Sequence, residues 1–205
     1  MRETGSEPPS DEVLAARAAA GSEEALEELV RRWSGPVLAY CRRRARPPLE
    51  AEDLCQQVLV AVVRRFGRWR PGRPFAPWLF AVARSVVIDA VGAAARRVPE
   101  GVGGAEGVAD GQTPADTAAA REAESDLWRR ARQVLSPRQF EALDLRIRAG
   151  LPVTAIATAM GLTRTHVRVL LFRARQSLLA AGADRALREA MAAEAEPAPA
   201  AARER

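Results

Sequence analysis

The sequence predicts an all-α protein of two small helical domains joined by a flexible linker. Three observations carry that prediction. Apolar residues recur at i, i+3, i+4 and i+7 in both halves, the spacing that gathers them on one face of a helix. No segment alternates apolar and polar residues as a strand would. Between the halves lies VPEGVGGAEGVADGQTPADTAAAREAE, which has no hydrophobic periodicity and holds five glycines by Gly111. Such a stretch buries too little apolar surface to order itself.

Charge divides the chain at the same places. The net charge is +5, and all 31 basic residues are arginine. Residues 1–97 carry +4, residues 98–126 carry −6, residues 127–182 carry +8, and the remainder −1. Two basic blocks around an acidic spacer point to two modules that meet a polyanion. The 43 alanines and the missing lysine fit a GC-rich genome and are given no functional meaning.

Composition also removes several classes of function. With 48% hydrophobic and 28% charged residues the chain is globular. It has no run of eighteen or more apolar residues, and its N-terminus is polar, so neither membrane insertion nor a secretory leader is expected. A cytoplasmic protein is expected. Two cysteines and one histidine supply no disulfide framework and no zinc cluster, and no cofactor is expected.

In the first module Ser22 is a strong N-cap, with Glu23 and Glu24 in the turn where the helix dipole favours acids. Ala25, Leu26, Leu29, Val30 and Trp33 follow at helical spacing. Gly35-Pro36 breaks or kinks the pattern before Val37, Leu38 and Cys41 resume it. Arg42, Arg43, Arg44 and Arg46 cluster next, and Pro47-Pro48 ends the helix because neither donates a backbone hydrogen bond. A second helix carries Leu54, Cys55, Val58, Leu59, Val62, Val63 and Phe66 on one apolar face. Its opening holds Glu50, Glu52, Asp53, Gln56 and Gln57. A third begins near Pro74, with Phe75, Trp78, Leu79, Val82, Ala83, Val86, Val87 and Val91 in the same rhythm.

Between the second and third helices, FGRWRPGRP sets Arg68, Arg70 and Arg73 around Trp69. Two readings of that indole stay open: an exposed ring that stacks on an unpaired base, or a cap on the bundle. Trp33 and Trp78 read as core. Cys41 and Cys55 read as small buried hydrophobes, with a redox role as the alternative.

The second module starts with a helix capped by Ser125 or Asp126 and carrying Leu127, Trp128, Ala131, Val134 and Leu135. Ser136-Pro137 opens the next, through Phe140, Leu143 and Ile147. Val153, Ile156, Ala157 and Met160 form a short helix, and Gly161 suits the left-handed position after it. Thr163 caps a last helix with Val167, Leu170, Leu171, Ala174 and Leu178 on its buried side. Helix, tight turn, helix is a helix-turn-helix. Its second helix exposes Arg164, Thr165, His166, Arg168, Arg173 and Arg175 and has no acid from Thr163 to Ala181, the pattern of an element that enters a major groove.

Both modules together resemble a bacterial RNA polymerase sigma factor of the extracytoplasmic-function group. The resemblance rests on AEDLCQQVL, where the family commonly shows a pattern like AEDLVQEVF, on FGRWRPGRPFAPWLFAVARSVVIDA, and on SPRQFEALDLRIRAGLPVTAIATAMGLTRTHVRVLLFRAR. It implies a disordered N-terminus at 1–10, a region 2 domain over 11–97, an acidic linker over 98–124, a region 4 helix-turn-helix domain over 125–181 and a tail over 182–205. It further implies no enzymatic activity and three kinds of partner: core polymerase, through the largest-subunit clamp helices and the flap; promoter DNA; and an anti-sigma factor. Glu52, Asp53, Gln56 and Gln57 would dock on the clamp helices. Trp69, Phe80, Arg84 and Ser85 would hold a base flipped from the −10 element, with Arg73, Arg96 and Arg97 on nearby phosphates. Arg146, Arg168, Phe172 and Arg173 match positions that meet the −35 element, joining Arg164, His166 and Arg175.

The chain departs from the family pattern at Gln57, where Glu is common, Ser85 for Asn, His166 for Thr, and Val169-Leu170 for a Ser-Arg pair. These changes put the promoter sequence, not the role, in question. The rival readings are a helix-turn-helix regulator that binds duplex DNA without polymerase, and a nuclease built on Glu52, Asp53 and Asp89. The acidic docking turn argues against the first, and the missing metal-ligand histidine against the second.

Overall fold

The computed structural model describes residues 8–97 and 127–183, and among these every regular element is helical. The chain divides into two compact units at Gly103–Gly104, each described here by itself. The expectations for residues 1–7, the linker, the cap at Ser125 or Asp126 and the tail beyond Ala183 lie outside the described residues.

The first unit opens with a helix that the apolar periodicity does not announce, α1 (Asp11–Ala19). Ser10 Oγ accepts the Val13 amide at 3.3 Å, and Leu14 and Ala15 are buried. Helix α2 (Glu23–Arg42) is capped by Ser22, whose Oγ accepts the Ala25 amide at 3.2 Å. It runs through Gly35-Pro36 as one helix, which corrects a break there. Both residues face solvent, so the proline removes one backbone bond without forcing its ring into the core. Helix α3 (Ala51–Arg65) passes into a 3-10 turn at Phe66–Arg68, and α4 (Phe75–Arg97) closes the bundle.

Two carboxylates on α1 tie these elements together. Asp11 accepts from Trp33 Nε1 at 3.0 Å and from Arg32 at 3.2 Å. Glu12 accepts the Phe75 amide at 3.3 Å, so one of the unpaired N–H groups that open α4 is satisfied by a side chain from another helix. The core beneath them holds Leu29, Val37, Tyr40, Leu54, Val58, Phe75, Leu79 and Phe80, all fully buried. Helix α4 supplies much of it. Its Phe75–Ala94 stretch has a mean hydropathy of 1.5, long and apolar enough to cross a membrane by those measures, but Arg84 and Asp89 interrupt it.

Cys41 and Cys55 are free thiols, both buried, as small apolar residues would be. The neighbouring Cys55 thiol and burial together push the Cys41 thiol far above its ordinary range.

The second unit comprises α5 (127–134), α6 (Pro137–Ile147), α7 (Val153–Met160) and α8 (Arg164–Ala180). Ser136 and Gln139 form a reciprocal capping box at the start of α6. Leu127, Trp128, Ala131, Leu135, Leu143, Ala174 and Leu178 make a continuous core that clasps α8 against α5 and α6. Phe140 meets Trp128 edge-on at 5.6 Å, and the Arg148 guanidinium lies over the same indole at 4.4 Å.

Because Leu178 is completely enclosed, Leu178→Ala is expected to cost about 2–5 kcal/mol. Urea unfolding of the full chain should show that loss.

Candidate nucleic-acid interface

The turn between α7 and α8 fixes how the last helix is presented. Gly161 sits at φ 65°, a left-handed conformation that glycine adopts without steric cost. The Leu162 amide returns to the Ala157 carbonyl at 2.9 Å, and Thr163 Oγ1 accepts the His166 amide at 3.2 Å. Val167, Leu170, Ala174 and Leu178 then face inward. With about 100° between successive residues, Thr165, Val169, Phe172 and Gln176 fall on the line farthest from the core. Arg164, Arg168 and Arg175 flank that line on one side, and His166 and Arg173 on the other. All nine are exposed. The four arginines form no ion pair among the described residues, and α8 itself contains no acid.

This geometry separates two departures that adjoin in sequence. Val169 is exposed, whereas Leu170 is buried, so only Val169 changes the surface of the helix. Arg146 stands apart from the α8 set. It is half-buried, and its Nη1 donates to the Leu151 carbonyl at 3.2 Å, bracing the turn between α6 and α7.

In the first unit the structure divides the −10 candidates. Trp69 is 4% exposed and packs 6.3 Å from Phe66, so its ring caps the bundle. Phe80 is 1% exposed, between Trp33 at 5.9 Å and Tyr40 at 5.5 Å. Of the two readings left open for Trp69 the structure has the cap on the bundle, and Phe80, expected among the residues that hold a flipped base, is taken up by ring–ring packing in the core. The arginines around Trp69 turn the other way, and Arg68, Arg70 and Arg73 are exposed. On α4, Ser85, Asp89, Gly92 and Arg96 share one face, with Arg84 half-buried beside it. The Arg97 side chain lies outside what is described.

The predicted docking residues Glu52, Asp53, Gln56 and Gln57 are all exposed on the first two turns of α3. Arg42 Nη2 donates to Glu52 Oε1 at 2.9 Å, and that bond holds the Glu52 carboxyl below its usual range. Farther along α3, sequence reasoning assigned Val63 to the buried face. Val63 is in fact 46% exposed and Val60 48%, and with Val30 and Leu59 they line an open apolar groove. The signal for it was present: the apolar stripe of α3 is wider than its two packing partners, α2 and α4, cover. Among the described residues no three His, Cys, Asp or Glu side chains gather as a metal site would require, and Glu52 and Asp53 lie on a different helix from Asp89.

Family models match a segment of each unit. Sigma-70 region 2 matches residues 29–97, and Sigma-70, region 4 matches residues 125–178. The ECF RNA polymerase sigma factor SigD of Mycobacterium tuberculosis is 34% identical over 185 residues, covering 82% of this chain and 81% of that protein. The ECF sigma factor BldN of Streptomyces coelicolor is 29% identical, covering 80% of this chain and 63% of its own length. Among solved structures, CnrH in complex with the cytosolic domain of CnrY has a TM-score of 0.62 at 24% identity, covering 85% of this chain and 98% of that one. The sigma factor RpoE of Bartonella quintana, in complex with the anti-sigma factor NepR, has a TM-score of 0.63 at 19% identity, covering 74% and 92%. Those two likenesses concern the fold.

The buried positions of Trp69 and Phe80 have a measurable consequence. Trp69→Ala and Phe80→Ala should each lower stability by about 3–5 kcal/mol. Arg73→Ala and Arg96→Ala, at exposed sites, should stay within about 0.5 kcal/mol. Urea midpoints decide between them, and an unmoved midpoint for Trp69→Ala would return that ring to the surface.

Proposed function

The chain belongs to the sigma-70 family, in its extracytoplasmic-function group, and directs promoter-specific transcription by RNA polymerase; from that premise we propose which of its surfaces meet which partner. One observation carries the reading: α8 presents an exposed, acid-free face with arginines on both flanks, inside the segment matched by region 4.

Helix α8 lies in the major groove of the −35 element. Arg164, Arg168 and Arg175 reach one phosphate wall and Arg173 the other, with His166 beside it. Phosphate contacts supply affinity and register, while the groove-facing line supplies sequence preference. Arg146 keeps the α6–α7 turn in place behind it and acts as a positioning residue. In the first unit, Arg73, Ser85, Arg84, Arg96 and Arg97 take the −10 strand. The surface of the loop is guanidinium, and it holds the melted strand chiefly by its backbone. Flipping a base out of the duplex costs a few kcal/mol, which contacts to the displaced strand offset.

Glu52, Asp53, Gln56 and Gln57 dock on a basic surface of core polymerase, for which exposed acids at a helix start are suited. The apolar groove of Val30, Leu59, Val60 and Val63 beside them receives an anti-sigma factor. The solved sigma factor RpoE is in complex with the anti-sigma factor NepR, and CnrH with the cytosolic domain of CnrY, which supports that reading. The family is not generally enzymatic, and the mechanism requires no bond chemistry from this chain. It acts in the cytoplasm, where polymerase and promoter are.

Run-off transcription with purified core polymerase and a promoter library tests the assignment. Starts that depend on this protein and share two short boxes are expected. Tight duplex binding by the protein alone, with no starts, would instead favour the polymerase-independent regulator. On a selected promoter, Arg168→Ala should weaken holoenzyme binding and lower the slope of log affinity against log salt by about 1. Asp53→Arg should weaken binding to core polymerase while leaving the urea midpoint of the free protein unchanged.

A further inference from the structure

The chain has ten aromatic residues, and nine of them make ring–ring contacts within their own unit. The tenth, Phe172, is 63% exposed on α8. One turn earlier on the same outward line is Val169, 39% exposed. Scattered exposed apolar residues are ordinary on protein surfaces. These two are not scattered: they stand side by side at i, i+3 on the crest of a helix whose flanks are cationic.

That arrangement divides the work of a helix lying in a groove. Long guanidinium side chains on the flanks diverge toward the phosphate walls, while the crest approaches the base edges. Base edges in the major groove are hydrogen-bonding groups with one apolar exception, the thymine C5 methyl. Valine and phenylalanine have no donor or acceptor for the polar edges, and leaving those edges desolvated without a partner is unfavourable. Apolar side chains at the crest therefore favour the one position where apolar contact is available.

We propose that Val169, together with Phe172, is a specificity-determining contact that reads thymine methyl groups in the −35 element. The proposal rests on the placement of α8 in the groove given above, and it adds which chemical feature of the bases the helix selects. A Ser at position 169, as the common family pattern has it, would form a hydrogen bond there; Val169 replaces that bond with methyl recognition.

The test uses reconstituted holoenzyme on a promoter taken from the run-off selection. Each −35 thymine, on either strand, is replaced in turn by deoxyuridine, which deletes only the methyl. At one or two positions affinity should fall about fourfold, the loss of one buried methyl group. With Val169→Ala holoenzyme the thymine–uracil difference at one of those positions should shrink toward unity, and with Phe172→Ala at the same or a neighbouring one. Both side chains are exposed, so melting temperatures of the variants should match the parent protein. The proposal is overturned if no thymine is methyl-sensitive, or if both variants keep the full difference. It is also overturned if the substitutions weaken polymerase binding and leave DNA selectivity intact, because the crest is then a protein contact. A holoenzyme that gives no promoter-dependent start at all would fail earlier, at the assignment of function.

Discussion

Seven aromatic rings form one connected set through the first unit. It runs from Tyr40 to Phe80, Trp33 and Phe75, and from there to Trp78, Phe66 and Trp69, with neighbouring centroids 5.5–6.3 Å apart. A bundle of about 90 residues has a small interior, and large rings fill it more fully than aliphatic side chains would. The set draws on α2, the 3-10 turn, the following loop and α4. Everything exposed on those elements is oriented by it. The loop after α3 points its arginines outward because its one indole is drawn in, and α4 offers Asp89 and Arg96 to solvent because Phe80 and Leu79 face the other way.

The two units solve the same problem at different scales. In the first, aromatic packing and two carboxylates on α1 hold long helices together. In the second, α7 is only eight residues long and depends on local geometry: a left-handed glycine that ends it and a threonine that caps the helix after it. These short-range devices fix the angle between α7 and α8, and so determine which residues of α8 form its crest. Function in both units is left to the face opposite the core, where arginine is the sole cation.

Most of the fold was readable in advance because caps and periodicity are local signals. Ser22, Ser136, Gly161 and Thr163 marked their helices where the structure has them. Helix α1 escaped because a nine-residue helix that buries little more than Leu14 and Ala15 has no long apolar stripe; its signal was Ser10 followed by Asp11 and Glu12. Trp69 and Phe80 show the limit of local reading. Whether a ring in a loop turns in or out depends on Phe66, which belongs to the preceding turn, and no spacing rule encodes that contact. Resemblance also misplaced Phe80, since a shared motif identifies a segment and not the direction of each side chain. On α8, buried Val167, Leu170, Ala174 and Leu178 set the helix phase, and the exposed residues were correspondingly legible.

The bond between Arg42 and Glu52 joins the arginine cluster after α2 to the acidic start of α3. It gives that carboxylate a tethered counter-ion at high effective concentration. Under the docking proposed for α3, a basic partner at Glu52 would not meet a bare charge; it would compete with the resident Arg42 guanidinium. What Glu52 would add to docking is then the difference between two ion pairs, one of them inside the protein. Such an exchange is less sensitive to salt than a new pairing would be, because added ions weaken the bond that is broken along with the bond that is made.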